Sequence, residues 1–331
     1  MKLVSYKTED QEHLGVFYNG HIYNLSSLNH VIPDNMQQFL EGGDALMEAA
    51  LRVFDELKNH KITPKEELFF EILAPVPHPT SCRDAYAFRQ HVATARLNRN
   101  AEMIPEFDQF PVFYFTNHNS IYGTGVVPCM PDHFDKLDFE LEIAVVLNKK
   151  GRNIKAADAD EYIAGYMIMN DLSARTLQLE EMRLNLGPAK GKDFATVLGP
   201  WLVTKDELEQ YRVFTKEGHT GDSYNLEMKC FVNGQEVSKG NLEDMNWTFA
   251  EIIERVSYGC DVLPGDVIGS GTVGTGCFLE LNGTGLRNNP NYTPQWLKPN
   301  DIIEMEVTGL GRLSTTVVAE KSDFSILALK K

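Results

Sequence analysis

Two glutamates separated by a single leucine make the first chemical signal in this chain of 331 residues. They are Glu140 and Glu142, in Leu137-Asp138-Phe139-Glu140-Leu141-Glu142-Ile143-Ala144-Val145-Val146-Leu147. Side chains two apart on a strand share a face, so these carboxylates project together while Phe139, Leu141 and Ile143 project oppositely. A half-exposed strand with an acidic face is the plain alternative. The apolar continuation from Ile143 to Leu147 argues against it, because such a run marks a strand buried on both faces. Neighbouring like charges that close to a core are costly unless a cation or a shared proton offsets them. A metal site and an acid pair both satisfy that demand.

Other candidates are weaker when read singly. Arg83 to Leu97 reads as a helix, and seven steps of about 100° bring Asp84 and His91 to one face. Asp171 follows the apolar strand Tyr166-Met167-Ile168-Met169 and opens a helix expected to run to Arg183. On local grounds it is a helix cap, with Gln178 on its face. Lys192 lies in the turn-rich segment from Gly187 to Thr196; beside clustered carboxylates it becomes a charge partner and an oxyanion donor. Tyr114, in Phe110-Pro111-Val112-Phe113-Tyr114-Phe115, belongs either to the core or to a pocket wall. Gly269-Ser270-Gly271-Thr272-Val273-Gly274 matches the dinucleotide fingerprint as a string. That motif needs a helix directly afterwards, and Gly276 to Leu281 reads as another strand, so the match is rejected. The loop can still bring backbone amides and Thr272 close to a ligand.

The elements that must position these groups are mostly strands. Asn19-Gly20 and Asn233-Gly234 each sit between strand-like runs and predict hairpins. A helix is expected from Asp44 to Lys58, with Leu46, Ala50, Val53 and Leu57 on one face. Pro75, Pro77 and Pro79 make a stiff connector, which places a domain boundary near residue 75. Further strands are expected at Asp261–Ile268, Cys277–Leu281, Asp301–Val307 and Thr315–Ala319. Strands that do not alternate regularly with helices argue against a doubly wound sheet. The expectation is a β-rich α+β fold, with a small N-terminal α+β domain (1–75) and a catalytic domain (76–331).

Bulk properties remove whole classes of function. With 47 acidic against 31 basic residues the net charge is −16, which disfavours nucleic acid and anionic membrane as partners. Cys82, Cys129, Cys230, Cys260 and Cys277 are scattered, which excludes a disulfide framework or a zinc site and predicts reduced, mostly buried thiols. No signal peptide and no membrane-length apolar run is visible, so a cytoplasmic protein is expected.

Taken together, the segments resemble the fumarylacetoacetate hydrolase family from about Pro75 to the end of the chain. The resemblance is carried by Arg83-Asp84-Ala85-Tyr86-Ala87-Phe88-Arg89-Gln90-His91, Asp138-Phe139-Glu140-Leu141-Glu142 and Met169-Asn170-Asp171-Leu172-Ser173-Ala174-Arg175. Leu186-Gly187-Pro188 with Gly191-Lys192-Asp193-Phe194, and Leu263-Pro264-Gly265-Asp266 with Gly269-Ser270-Gly271-Thr272, add to it. It implies a mixed β-roll catalytic domain, usually a homodimer. By the resemblance, Asp84, Glu140, Glu142 and Asp171 are metal ligands, with Lys192 and Thr196 beside the metal. His91 is the general base, Glu280 orients it, and Tyr86, Gln178 and Thr272 touch substrate. An all-oxygen donor set favours a hard cation, Mg²⁺ or Ca²⁺, with Mn²⁺ compatible.

The activity so implied is hydrolysis of a carbon–carbon bond beside a carbonyl, in a 1,3-diketo acid or acylpyruvate-like substrate of aromatic amino acid catabolism. His91 and Glu280 would activate water, and Lys192 and Gln178 would stabilise the oxyanion. The same scaffold also supports an oxaloacetate decarboxylase or an isomerase of unsaturated keto-acids, and a metal-binding protein without turnover is a third reading. Three departures from the family pattern leave the substrate open. Leu179-Glu180-Glu181-Met182-Arg183 lacks the expected tyrosine, Arg96 and Arg99 both lie near the place of one expected arginine, and the loop from Thr272 to Glu280 is short.

Overall fold

The computed structural model of the chain describes residues 1–9, 11–62 and 70–329. Both Asn-Gly hairpins form. Asn19 and Gly20 take φ of 48° and 86° between strands Gln11–Tyr18 and His21–Asn24. Asn233 and Gly234 take 52° and 78° between Glu227–Val232 and Gln235–Asn241. Two successive left-handed residues give the turn whose twist matches the flanking strands. The expected helix is present as Gly43–Lys58, with Ala50, Val53 and Leu57 buried.

One large mixed sheet organises the molecule. Its strands run, side by side, His21–Asn24, Gln11–Tyr18, Lys2–Thr8, Thr196–Val203, Ile163–Asp171, Leu141–Leu147, Asp266–Gly269, Ser81–Ala85 and Phe113–Thr116. A second sheet runs Gln235–Asn241, Glu227–Val232, Ile302–Val307, Gly311–Ala319, Gly125–Cys129. The central strand Leu141–Leu147 is buried at every position. Its alternation divides two cores: Leu141, Ile143, Val145 and Leu147 join the cluster shared with the second sheet, whereas Ala144 and Val146 join the cluster under the N-terminal helices. This is the β-rich α+β architecture expected from the sequence.

Residues 1–62, read as part of a domain ending near residue 75, meet the rest of the chain over that sheet. Lys2 and Leu3 pair with Val203 and Leu202, and Phe39, Ala50 and Val53 share an apolar cluster with Met167, Met169 and Leu198. All five cysteines are free, four of them buried. Among the described residues no helix is long and apolar enough to cross a membrane.

Four local expectations are corrected. Arg83 to Leu97 is a strand, Ser81–Ala85, followed by a separate helix, Arg89–Leu97. Pairing with Asp266–Gly269 on one side and Phe113–Thr116 on the other outweighs the helix propensity of Ala and Arg there. Asp84 and His91 therefore do not share a helix face. Asp171 ends a strand and pairs with Thr196, and the helix begins only at Arg175, so Asp171 caps nothing and Gln178 is not on its face. The strand expected from Leu137 to Leu147 is interrupted at Phe139 and Glu140, where the Asn170 side chain takes the Glu140 N–H at 3.0 Å. Cys277 to Leu281 is not a strand but the start of a helix, Phe278–Asn288. A five-residue apolar run does not separate the two outcomes.

Candidate metal centre and its base pair

Three neighbouring strands bring the carboxylates together. Asp84 comes from Ser81–Ala85, Glu142 from Leu141–Leu147 with Glu140 just before it, and Asp171 from the end of Ile163–Asp171. Each of the four offers an oxygen within 4.8 Å of the others, and all four residues are buried. The packing is tight enough to require glycine at 269, where a Cβ would lie 2.5 Å from Asp84 Oδ1.

The hydrogen bonds around the cluster are extensive but incomplete. Asp84 Oδ1 accepts the Gly271 N–H at 3.0 Å, and Glu142 Oε1 accepts the Thr272 hydroxyl at 3.3 Å. Asp171 Oδ2 accepts the Tyr114 hydroxyl at 2.5 Å and Lys192 Nζ at 2.6 Å. Glu140 Oε2 accepts from Lys192, and its Oε1 accepts from Arg175 at 2.8 Å. Glu142 Oε2, Asp171 Oδ1 and the Thr196 hydroxyl are buried without any partner. Counting Asp138, five buried carboxylates face two buried cations, Lys192 and Arg175, so negative charge is left over.

The charge states follow from that imbalance. Burial, with Asp84, Glu140 and Asp171 beside it, drives Glu142 far above the usual carboxylate range. Burial and Asp171 push Asp84 up to about 7. Asp171 is raised by burial although Lys192 opposes the shift. Burial acts on Glu140 too, but Lys192, Arg175 and the nearby His91 outweigh it and hold it down at about 2. Orphaned, under-neutralised buried carboxylates are expensive, and a divalent cation would both satisfy the free oxygens and remove the excess charge. The residues present thus fit a hard cation, with Asp84, Glu140, Glu142 and Asp171 as its holders.

Beside the cluster stands a histidine–carboxylate pair. His91 is the third residue of its helix and Glu280 the third of Phe278–Asn288. His91 Nδ1 and Glu280 Oε2 are 2.5 Å apart, and Oε2 also accepts the Thr275 N–H at 3.1 Å. A carboxylate at Nδ1 places the proton there and leaves Nε2 as the basic nitrogen. Asn98, just after the His91 helix, donates to the Glu280 carbonyl at 3.0 Å, which ties the two helices together.

The remaining sequence candidates take definite places. Tyr86 stands edge-on to His91, with ring centroids 5.8 Å apart. Gln178 Oε1 accepts from Arg175 Nη1 at 2.9 Å, at the margin of the cluster. Arg175 and Asp138 went unrecognised as site residues, although both lie inside the quoted motifs. Their ion pair is fully buried, a property that spacing does not reveal. The dinucleotide match stays rejected, but for a different reason. A helix does follow the glycine loop, yet Asp138 already occupies the Phe278 and Leu279 amides at 2.7 and 2.9 Å. A pyrophosphate would need those same donors.

Residues 80–318 match the family model described as fumarylacetoacetate (FAA) hydrolase, C-terminal. The chain belongs to the fumarylacetoacetate hydrolase family. It is 31% identical over 324 residues to the human mitochondrial oxaloacetate tautomerase FAHD2A, covering 96% of this chain and 92% of that protein. The Dictyostelium discoideum fumarylacetoacetate hydrolase domain-containing protein 2 homolog is 28% identical, covering 96% and 97%. Among solved structures, fumarylacetoacetate hydrolase from Exiguobacterium antarcticum superposes with a TM-score of 0.69 at 22% identity, over 97% of this chain and 100% of that one. Maleylpyruvate hydrolase from Sphingobium gives 0.66 at 20% identity, with the same coverage. At those identities the structures speak to the fold, which is the family's.

Proposed function

We propose that this protein is a divalent-cation-dependent tautomerase that interconverts the keto and enol forms of a 2-oxo diacid of the oxaloacetate class. The observation that carries the reading is the His91–Glu280 pair, 2.5 Å apart, with His91 close enough to lower Glu140 of the four-carboxylate cluster. The 31% identity over nearly the whole chain to a protein named oxaloacetate tautomerase supports it. This moves the expected hydrolysis to second place, with the same scaffold and the same base doing simpler work.

A cation held by Asp84, Glu140, Glu142 and Asp171, with Lys192 and Thr196 alongside, would withdraw electrons from a 2-oxo group and acidify the adjoining C–H. His91 Nε2 takes the proton from that carbon, while Glu280 holds the Nδ1–H and offsets the imidazolium charge that forms. Burial would lower Lys192, but Asp171 and Glu140 keep it above its ordinary range, so it remains a cation within the cluster and would offset enolate charge that develops beside it. Return of that proton from His91 Nε2, directly or through solvent, to the 2-oxo oxygen completes the shift and regenerates the neutral imidazole; no water is consumed and no carbon–carbon bond breaks. Tyr86, Gln178 and Thr272 are assigned to the substrate wall. Mg²⁺, Ca²⁺ and Mn²⁺ all suit the donors, and homodimeric assembly belongs to the same proposal.

The test is to supply Mg²⁺ with enol-oxaloacetate, fumarylpyruvate and an acylpyruvate in parallel, following enol absorbance, acyl release and CO₂. Faster enol decay with no acyl release or CO₂ is expected. Acyl cleavage would restore the hydrolase reading, CO₂ release would favour the decarboxylase, and inertness toward all three would leave a metal-binding protein.

A further inference from the structure

The steps above give Asp138 no part, yet it is fully buried and bonded on two fronts. On one front its Oδ1 accepts the Phe278 N–H at 2.7 Å and its Oδ2 the Leu279 N–H at 2.9 Å. Cys277, at the N-cap of that helix, makes no side-chain cap bond, so Asp138 supplies the cap from a distant part of the chain. The helix it holds presents Glu280 at its third residue, against His91. On the other front Asp138 Oδ2 accepts Arg175 Nε at 2.8 Å and lies 2.7 Å from Nη2. The same Nη2 donates to Glu140 Oε1 at 2.8 Å, and Nη1 donates to Gln178 at 2.9 Å. One carboxylate is therefore tied both to the helix that carries Glu280, the histidine's partner, and to the guanidinium that donates to Glu140.

We infer that Asp138 is a positioning residue that sets the His91–Glu280 pair against the metal cage, through the helix N-terminus on one side and Arg175 on the other. The physical ground is leverage. A helix end is fixed by what satisfies its free amides, and Glu280 sits within the first turn, so loss of the cap displaces Glu280 and, through their 2.5 Å hydrogen bond, disturbs His91 on its own helix. Catalysis tolerates displacements of about 1 Å poorly. The charge of Asp138 also keeps the Arg175 fork turned toward Glu140, which a neutral side chain would not do. The inference rests on reading His91–Glu280 as the proton-transfer pair.

The experiment compares Asp138→Asn and Arg175→Lys with wild type in the full chain. Three readouts are followed: turnover of enol-oxaloacetate, Mn²⁺ affinity by electron paramagnetic resonance, and the downfield Nδ1–H resonance of His91 in ¹⁵N-histidine-labelled protein. Asparagine keeps the volume and one acceptor but loses the charge. For Asp138→Asn the expectation is a kcat about 100-fold lower with KM within about threefold, a moved or broadened His91 resonance, and about tenfold weaker Mn²⁺ binding. Arg175→Lys should weaken Mn²⁺ binding while leaving the His91 resonance in place, which separates the two fronts. A folded Asp138→Asn protein with kcat within threefold of wild type, an unmoved resonance and only a lower melting temperature would reduce Asp138 to a structural ion pair and overturn the inference. If Asp138→Asn does not fold, unchanged Mn²⁺ affinity in Arg175→Lys overturns it instead. Should wild type show no turnover, the proposed function falls, while the resonance and Mn²⁺ readouts still decide the role of Asp138.

Discussion

Two sets of buried carboxylates lie side by side in this molecule and are treated in opposite ways. Asp138 has both oxygens used, by two backbone amides and a guanidinium. Glu142 and Asp171, equally buried, each keep an oxygen with no partner. A protein that could satisfy one carboxylate so completely leaves its neighbours unsatisfied, in a cluster that carries excess negative charge. Unmet need concentrated at one point is the mark of a ligand, and fully met need is the mark of a frame.

The contrast makes predictions of graded size. Replacing His91 by Ala should lower kcat by about 10²- to 10⁴-fold, as expected for loss of a general base, while Mn²⁺ titration shows the cage intact. Loss of cation binding in that variant would mean that the base pair and the cage are not separate functions. Replacing Arg175 by Met should cost about 3–5 kcal/mol in urea unfolding, because Asp138 would be left as an unpaired buried charge. A cost near zero would show that the frame is less dependent on its ion pair than its geometry indicates. Tyr114→Phe removes one donor from Asp171 and should weaken Mn²⁺ binding by about tenfold without altering the fold.

Asp160 provides the smallest effect and an intermediate case. Its Oδ1 is buried without a partner, but among the described residues it belongs to no cluster that could hold a cation. Burial and then Asp222 raise it from 3.8 to about 6. A carboxylate raised in the folded state contributes its stability below the unfolded value and loses it as pH rises through the folded value. Asp160→Asn should therefore stabilise the protein at pH 8 by on the order of 1 kcal/mol and give no gain at pH 4. Thermal melts at the two pH values decide it, and an equal gain at both would remove the ionisation argument.

The legible part of this protein was the part written in local chemistry. The Asn-Gly turns require two left-handed residues, and the Glu140/Glu142 spacing together with the apolar run behind it announced charge near a core. The elements carrying Asp84, Asp171 and Glu280 were misread because long-range pairing or capping decides them. Ser81–Ala85 is a strand because two partners flank it, and Phe278–Asn288 is a helix that Asp138 helps to start from about 140 residues away in sequence. The candidate residues came together all the same, since the resemblance that named them depends on identities and order rather than on the element each occupies. Arg175 and Asp138 escaped notice for a physical reason: in sequence, a buried ion pair looks the same as a solvated one.

Equilibrium binding of Mn²⁺ to the chelator-stripped protein, for wild type and Glu142→Gln side by side, tests the metal centre most directly. One ion per chain should bind wild type, and binding should weaken at least 100-fold in Glu142→Gln although that protein stays folded and, without cation, melts no lower than wild type. Equal affinity in the two proteins, or a Glu142→Gln protein that loses stability as a frame residue would, contradicts the assignment of these four carboxylates as the cation's holders.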